Sequence, residues 1–191
     1  MIYGSRPARR RDALRNRAAI VRAASEAMTG RRTAVGMPEI ARRAGVGQAT
    51  LYRHFPDRGA LTEAVIGYQL DRLAAFIRAK RDEPDGFRFM LDALLRTRIA
   101  MRPLVLLARR LEPAVRHRYE RRIVALLTEP LRRAQDHGEV RGDLVPDDLH
   151  LLCTMVEAVL DAGDGPDAAG RSVDLALDGV FVRPRPAGAA S

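Results

Sequence analysis

Apolar positions along this chain recur at helical spacing, and nowhere do they alternate over the length of a strand. The first stripe runs from residue 12 to Met28 through Leu14, Ile20, Val21 and Ala24, and Gly30 follows as a helix-ending residue. A short second stripe holds Ile40, Ala41 and Ala44 behind Pro38, which suits a first helical turn because it lacks the N–H that would go unpaired there. Gly45 can take the left-handed conformation that closes such a helix. Gln48 to His54 then reads as a short helix with Leu51 as its inner residue. Pro56 and the N-cap residue Asp57 open a long helix through Leu61, Val65, Ile66, Leu70, Leu73 and Ile77.

Four or five more helices follow. One covers roughly Gly86 to Met101 and stops at Pro103, with a short apolar segment, Leu104 to Leu107, behind it. Another spans Pro113 to Asp136 with Pro130 as an expected kink. Asp147 opens a helix to Ala162, the stretch 163–167 is a loop, and the last helix covers about Ala169 to Phe181. The predicted fold class is therefore all-α. Residues 1–11 read as a flexible basic arm, 12–58 as a first domain of short helices, 59–182 as a second helical domain and 183–191 as a disordered tail.

Charge separates the two domains more sharply than hydropathy does. The chain has 191 residues and a net charge of +9. Residues 1–58 carry thirteen arginines against four carboxylates, a surplus equal to that of the whole chain. A basic module joined to a neutral one points to a polyanion partner for the first and a separate task for the second. A single cysteine, Cys153, excludes an internal disulfide or a cysteine-based zinc cage. There is no apolar run of membrane-spanning length and no signal-peptide pattern, so a cytoplasmic protein without a membrane partner is expected. No glycine-rich phosphate loop, nucleophile elbow or metal-spaced histidine pair is present, so neither catalytic residues nor cofactors nor metals are expected.

Ala41, Gly45 and Leu51 have the spacing of a helix-turn-helix. Ala41 is small where two helices cross, Gly45 makes the turn, and Leu51 plugs the second helix into the core. That leaves Gln48, Ala49, Tyr52 and Arg53 facing outward, the face a recognition helix presents to a major groove.

The longer string IARRAGVGQATLYRHFPDRGAL, residues 40–61, resembles the signature of the TetR (TetR/AcrR) family of bacterial repressors. The matching features are Ile40-Ala41, Ala44-Gly45-Val46, Thr50-Leu51-Tyr52, His54-Phe55, Arg58 and Leu61. The resemblance implies a homodimer that binds a palindromic double-stranded DNA operator and releases it when a small molecule occupies the C-terminal domain. It places Gln48 and Ala49 at base contacts, and Thr50, Tyr52, His54 and Arg58 at phosphate contacts. Arg58 stands where the family usually has Lys. Gly36 and Gly47 stand where the family prefers Thr or Ser, removing a capping and phosphate-binding hydroxyl from each. Thr33 is the nearest hydroxyl that can replace the first.

The helix from Asp147 is apolar on two faces and so needs two partners. One stripe holds Leu149, Leu152, Val156, Val159 and Leu160, and the other Leu151, Met155 and Ala158. The first stripe, with Leu175 of the last helix, is the expected dimer interface; in the family these two helices build a dimeric four-helix bundle. Met90, Leu94, Met101, Leu104, Leu107, Tyr119, Ile123 and Cys153 are the expected lining of a mostly apolar effector pocket, with Arg98, Tyr119 and Glu157 as polar contacts. The competing readings are an architectural DNA-binding protein without effector control and a small all-helical enzyme.

Overall fold

The computed structural model describes residues 6–28 and 35–182. These form nine α-helices: α1 (Arg6–Ala27), α2 (Met37–Arg43), α3 (Gln48–His54), α4 (Arg58–Lys80), α5 (Gly86–Ala100), α6 (Arg102–Ala108), α7 (Pro113–Asp136), α8 (Asp148–Ala162) and α9 (Gly165–Val180). The described residues contain no strand; one isolated bridge joins Val140 to Phe181.

The chain divides into two compact units. Among the described residues, the first ends at Asp71 and regains Met101–Arg116, and the second holds Arg72–Ala100 and the stretch from His117 to Val182. The first core is built from Ile20, Ala24, Ile40, Ala41, Leu51, Phe55, Leu61 and Val65, joined by Met101 and Leu104. Gln69 of α4 donates a hydrogen bond to the hydroxyl of the buried Ser25 of α1, at 2.5 Å. In the second unit α5, α8 and α9 pack pairwise, around Leu91, Leu95, Leu149, Val156, Val173 and Leu177.

Four expectations change. Helix α1 begins at Arg6, not after residue 11. Arginine is a good helix former and Pro7 is tolerated in a first turn, so a solvated helical stretch leaves no apolar stripe to detect. Leu14, expected on the inner stripe, is 61% exposed. The unit boundary falls inside α4 and not at residue 58, because Leu61 and Val65 pack into the first core and Ile77 into the second. Helix α9 starts at Gly165, inside the segment expected to be a loop. Helix α7 spans Pro113–Asp136 with Pro130 inside it, the bounds that the sequence predicts. Thr33, residues 1–5 and the expected tail lie outside the described residues.

Candidate nucleic-acid interface

The site is a seven-residue helix held in one orientation by its neighbours. Gly36 precedes α2 in extended backbone, with Pro38 in the first turn. Gly45 adopts φ +67°, the left-handed conformation that non-glycine residues rarely take. The turn is closed by hydrogen bonds from the N–H of Ala44 to the carbonyl of Ile40 at 2.9 Å and from the N–H of Val46 to that of Ala41 at 3.0 Å. Gly47, again extended and without a capping side chain, starts α3. Its carbonyl accepts the N–H groups of Thr50 at 2.9 Å and Leu51 at 3.1 Å. Leu51 is the only buried residue of α3, and Phe55 just after it is buried as well.

With that one plug fixed, Gln48, Ala49, Tyr52 and Arg53 are exposed together, Tyr52 at 44%. Thr50 and His54 are half-buried at the margin. Asp57 caps α4 by accepting the N–H of Ala60 at 2.8 Å. Arg58 is half-buried, and its guanidinium donates to the carbonyl of Val35 at 2.7 Å, just ahead of α2. Arg58 therefore has a structural task of its own, apart from the phosphate contact that the resemblance implies.

Charge on the neighbouring surface is also organised. Glu39 accepts from Arg42 at 2.7 Å and from Arg43 at 2.8 Å. The hydrogen bonds from Arg42 and Arg43 lower its carboxyl to about 2, so the one acid of α2 is neutralised by its own helix. The Nε2 of His54 is buried without a hydrogen-bond partner. Burial, then the nearby charges of Arg53 and Arg17, push the imidazole below its ordinary value of 6.5. A contact from His54 to phosphate is left to its other ring nitrogen. Arg17, which sequence reasoning did not single out, lies over the Phe55 ring with its guanidinium carbon 4.9 Å from the centroid. No local pattern in α1 signals that contact.

In the second unit the anticipated pocket residues do not form one lining. Met90, Leu94 and Cys153 are buried in its core, with Ile123 packed against them. Arg98 donates to Glu157 at 2.9 Å, so those two polar candidates engage each other. Burial pushes the Cys153 thiol up. Tyr119 is half-buried, with Arg118 over its ring. Met101, Leu104 and Leu107 belong to the first unit, where they pack against the core of the helix-turn-helix, because α6 returns there. A cleft of about 660 Å³ does exist in the second unit, between the ends of α4 and α7 and the start of α5. Ile77, Phe87, Met90 and Leu126 provide its apolar surface and Arg78 and Arg81 part of its rim. Of the anticipated set, only Met90 lines it. Among the described residues, no group of three or more His, Cys, Asp or Glu is placed to hold a metal ion.

Most of the stripe expected at a dimer interface is buried within the chain. Leu149, Leu152, Val156 and Leu160 are buried in the chain's own core, and Val159 is half-buried. They are taken up by α5 and α9, which leaves the opposite stripe free. Leu151 is 56% exposed, Met155 58% and Leu175, the one anticipated residue on that side, 55%.

Comparison with known proteins accords with this layout. Residues 20–65 match the family model described as bacterial regulatory proteins, tetR family. Residues 87–182 match the model described as transcriptional regulator SbtR-like, C-terminal domain. Among solved structures, the chain is similar to the TetR transcription regulatory protein from Mycobacterium vanbaalenii, with 31% identity over 91% of this chain and 99% of that one, and a TM-score of 0.64. It is similar to the TetR transcriptional regulator SCO0520 from Streptomyces coelicolor, with 27% identity over 86% and 98% and a TM-score of 0.66. A third is a TetR-family regulator from Rhodococcus sp., with 27% identity over 85% and 97% and a TM-score of 0.55. No curated protein matches the chain.

Proposed function

The chain belongs to the TetR family of bacterial transcriptional regulators, and from that premise we propose that it is a homodimeric repressor of a palindromic operator, released by a small, mostly apolar effector. It is a DNA-binding regulator and not an enzyme, as the family is. The observation that carries the reading is the outward face of α3, where Gln48, Ala49, Tyr52 and Arg53 are exposed together on a helix anchored by one buried leucine. A glutamine there can donate and accept at once, which suits a bidentate pair with adenine in a major groove.

Dimerisation is supported by Leu151, Met155 and Leu175, three large apolar side chains left in water on two helices that pack against each other. Effector control is supported by the cleft, whose volume lies within the range of about 300–1,000 Å³ usual for small-molecule sites. Its apolar residues, Ile77, Phe87, Met90 and Leu126, fit a ligand with an apolar body, and its rim of mixed charge, with Arg78 and Arg81 beside Asp82 and Glu129, fits a polar end.

Sedimentation and duplex binding test the reading together. Wild-type protein is expected to be a dimer at micromolar concentration. Met155→Asp is expected to sediment as a folded monomer and to lose at least about tenfold in affinity for a duplex that the wild type selects from a random pool, since linked half-sites gain by effective concentration. A wild-type monomer that binds the same duplex as tightly overturns it.

A further inference from the structure

The first half of α1 has no core to belong to. Residues 10–15 are all exposed, and the first fully buried residue of the helix is Ile20. From Arg6 to Ala19 the helix therefore runs about 20 Å, at about 1.5 Å per residue, with no buried side chain among those described. The sequence of this stretch makes it expensive to keep helical in isolation. It holds Arg6, Arg9, Arg10, Arg11, Arg15 and Arg17 against one acid, Asp12, which Arg15 engages. Arg11 and Arg15 stand four residues apart, where like charges on a helix repel. A helix of this length is marginal in water even with favourable pairs. Nothing on its apolar side compensates, since Leu14 points into solvent.

Its position gives that charge a use. Arg17 lies against Phe55, the residue just after the recognition helix, so the C-terminal end of the stretch lies beside that helix. Eleven residues separate Arg17 from Arg6, or about 16 Å of helix. That equals about five base pairs of duplex at about 3.4 Å each. The recognition helix itself, seven residues long, is too short to cover that distance.

We infer that residues 6–17 of α1 are a second DNA-contacting element, an arginine-bearing helix that binds phosphates of the duplex flanking each operator half-site. It adds affinity without reading sequence, because a guanidinium on a phosphate positions the protein but carries no base information. Neutralisation by the phosphates removes the repulsion between the arginines. Continuity with the recognition face and charge complementarity select duplex DNA as the occupant over another protein surface.

The test uses the full chain with Arg10→Ala, Arg11→Ala and Arg15→Ala combined, leaving Arg17 in place because it packs on Phe55. Since the altered side chains are exposed, the melting temperature is expected to stay within about two degrees of wild type. On a random-sequence 40-base-pair duplex, the slope of log affinity against log salt is expected to flatten by about 2.7 per bound chain, at about 0.9 per lost phosphate contact. The corresponding triple lysine variant is expected to restore the slope. On a duplex that the wild type selects from a random pool, the hydroxyl-radical footprint is expected to shrink at its outer edges while its centre is unchanged. An unchanged slope and footprint in a wild type that does bind DNA overturn this inference alone and make the stretch a solvated extension. A wild type that binds no duplex overturns the DNA-binding reading and this inference with it.

Discussion

Helix α3 and helix α8 each meet the protein through an apolar stripe, yet they leave different things in solvent. Helix α3 has one buried residue, Leu51, and a glycine turn that fixes how it enters. Once Leu51 points inward, every remaining side chain has one possible direction, and Gln48 and Arg53 face out together. Helix α8 has two apolar stripes, and both obey the same periodicity. Which of them becomes core is decided by α5, from far upstream in the chain, together with α9, which follows α8 directly. They take Leu149, Leu152, Val156 and Leu160, leaving Leu151 and Met155 to water. A short helix with a single anchor carries its orientation in its own sequence. A helix apolar on two sides acquires its orientation from its neighbours, and its second face is then available to a second copy of the chain.

The strongest way to break this comparison is to truncate one residue on each face of α8. Leu149→Ala is expected to cost about 2–5 kcal/mol in urea unfolding, the loss for a large-to-small change in a packed core. Met155→Ala is expected to change intrinsic stability by less than about 0.5 kcal/mol, as exposed substitutions do. The two also differ in concentration dependence. The deficit of Met155→Ala should grow with protein concentration, because it acts on dimer formation through mass action, whereas that of Leu149→Ala should not. Similar losses for both at low concentration would show that both stripes are core.

The same contrast explains what was legible before the structure. The helix-turn-helix could be read because its determinants are local. Gly45 needs a left-handed φ, Asp57 caps the helix beginning one residue later, and Ala41 and Leu51 face each other across a turn of fixed length. The second unit depends on contacts that no window of sequence contains. Met101 and Leu104 look like pocket residues beside Leu94, but α6 carries them to the first core. The cleft draws its walls from positions as far apart as Ala74 and Glu139, so periodicity in any one helix is silent about it. Arg98 and Glu157, 59 positions apart, pair with each other, a contact that no single stretch of sequence announces. The start of α1 was missed for the opposite reason, since a helix solvated on all sides has no stripe to detect.

The recognition face sharpens the comparison next, because there the expected loss is in specificity and not in the fold. Gln48→Ala removes an exposed side chain and should leave the urea midpoint unchanged. On a duplex that the wild type selects from a random pool it should cost about 1–3 kcal/mol, the value of one bidentate base contact. On random DNA the cost should be small. Equal losses on both duplexes would move Gln48 from base readout to backbone contact, and the outward face of α3 would then be electrostatic alone.

The smallest expected effect lies where the two kinds of position meet. His54 ends the recognition helix and is half-buried, with its Nε2 closed off from water and from any partner. Desolvation penalises the charged ring, and Arg53 and Arg17 add repulsion, so the folded protein holds this imidazole below its ordinary value of 6.5. The sign of the linkage follows. Between the lowered folded value and 6.5 the unfolded chain binds more proton, so stability rises with pH through that window and falls as the solution is acidified. Above 6.5 both states are neutral and the contribution is complete. Acidifying from pH 7.5 to 5.5 should therefore lower the melting temperature of the wild type more than that of His54→Phe. The other three histidines are exposed and remain in both proteins, so they drop out of the difference. At pH 8 the variant should be as stable as wild type or slightly more so, since it replaces a buried nitrogen without a partner by carbon. Identical pH profiles for the two proteins would mean that the ring reaches solvent in both charge states, and would place His54 with the exposed recognition residues and not with Leu51.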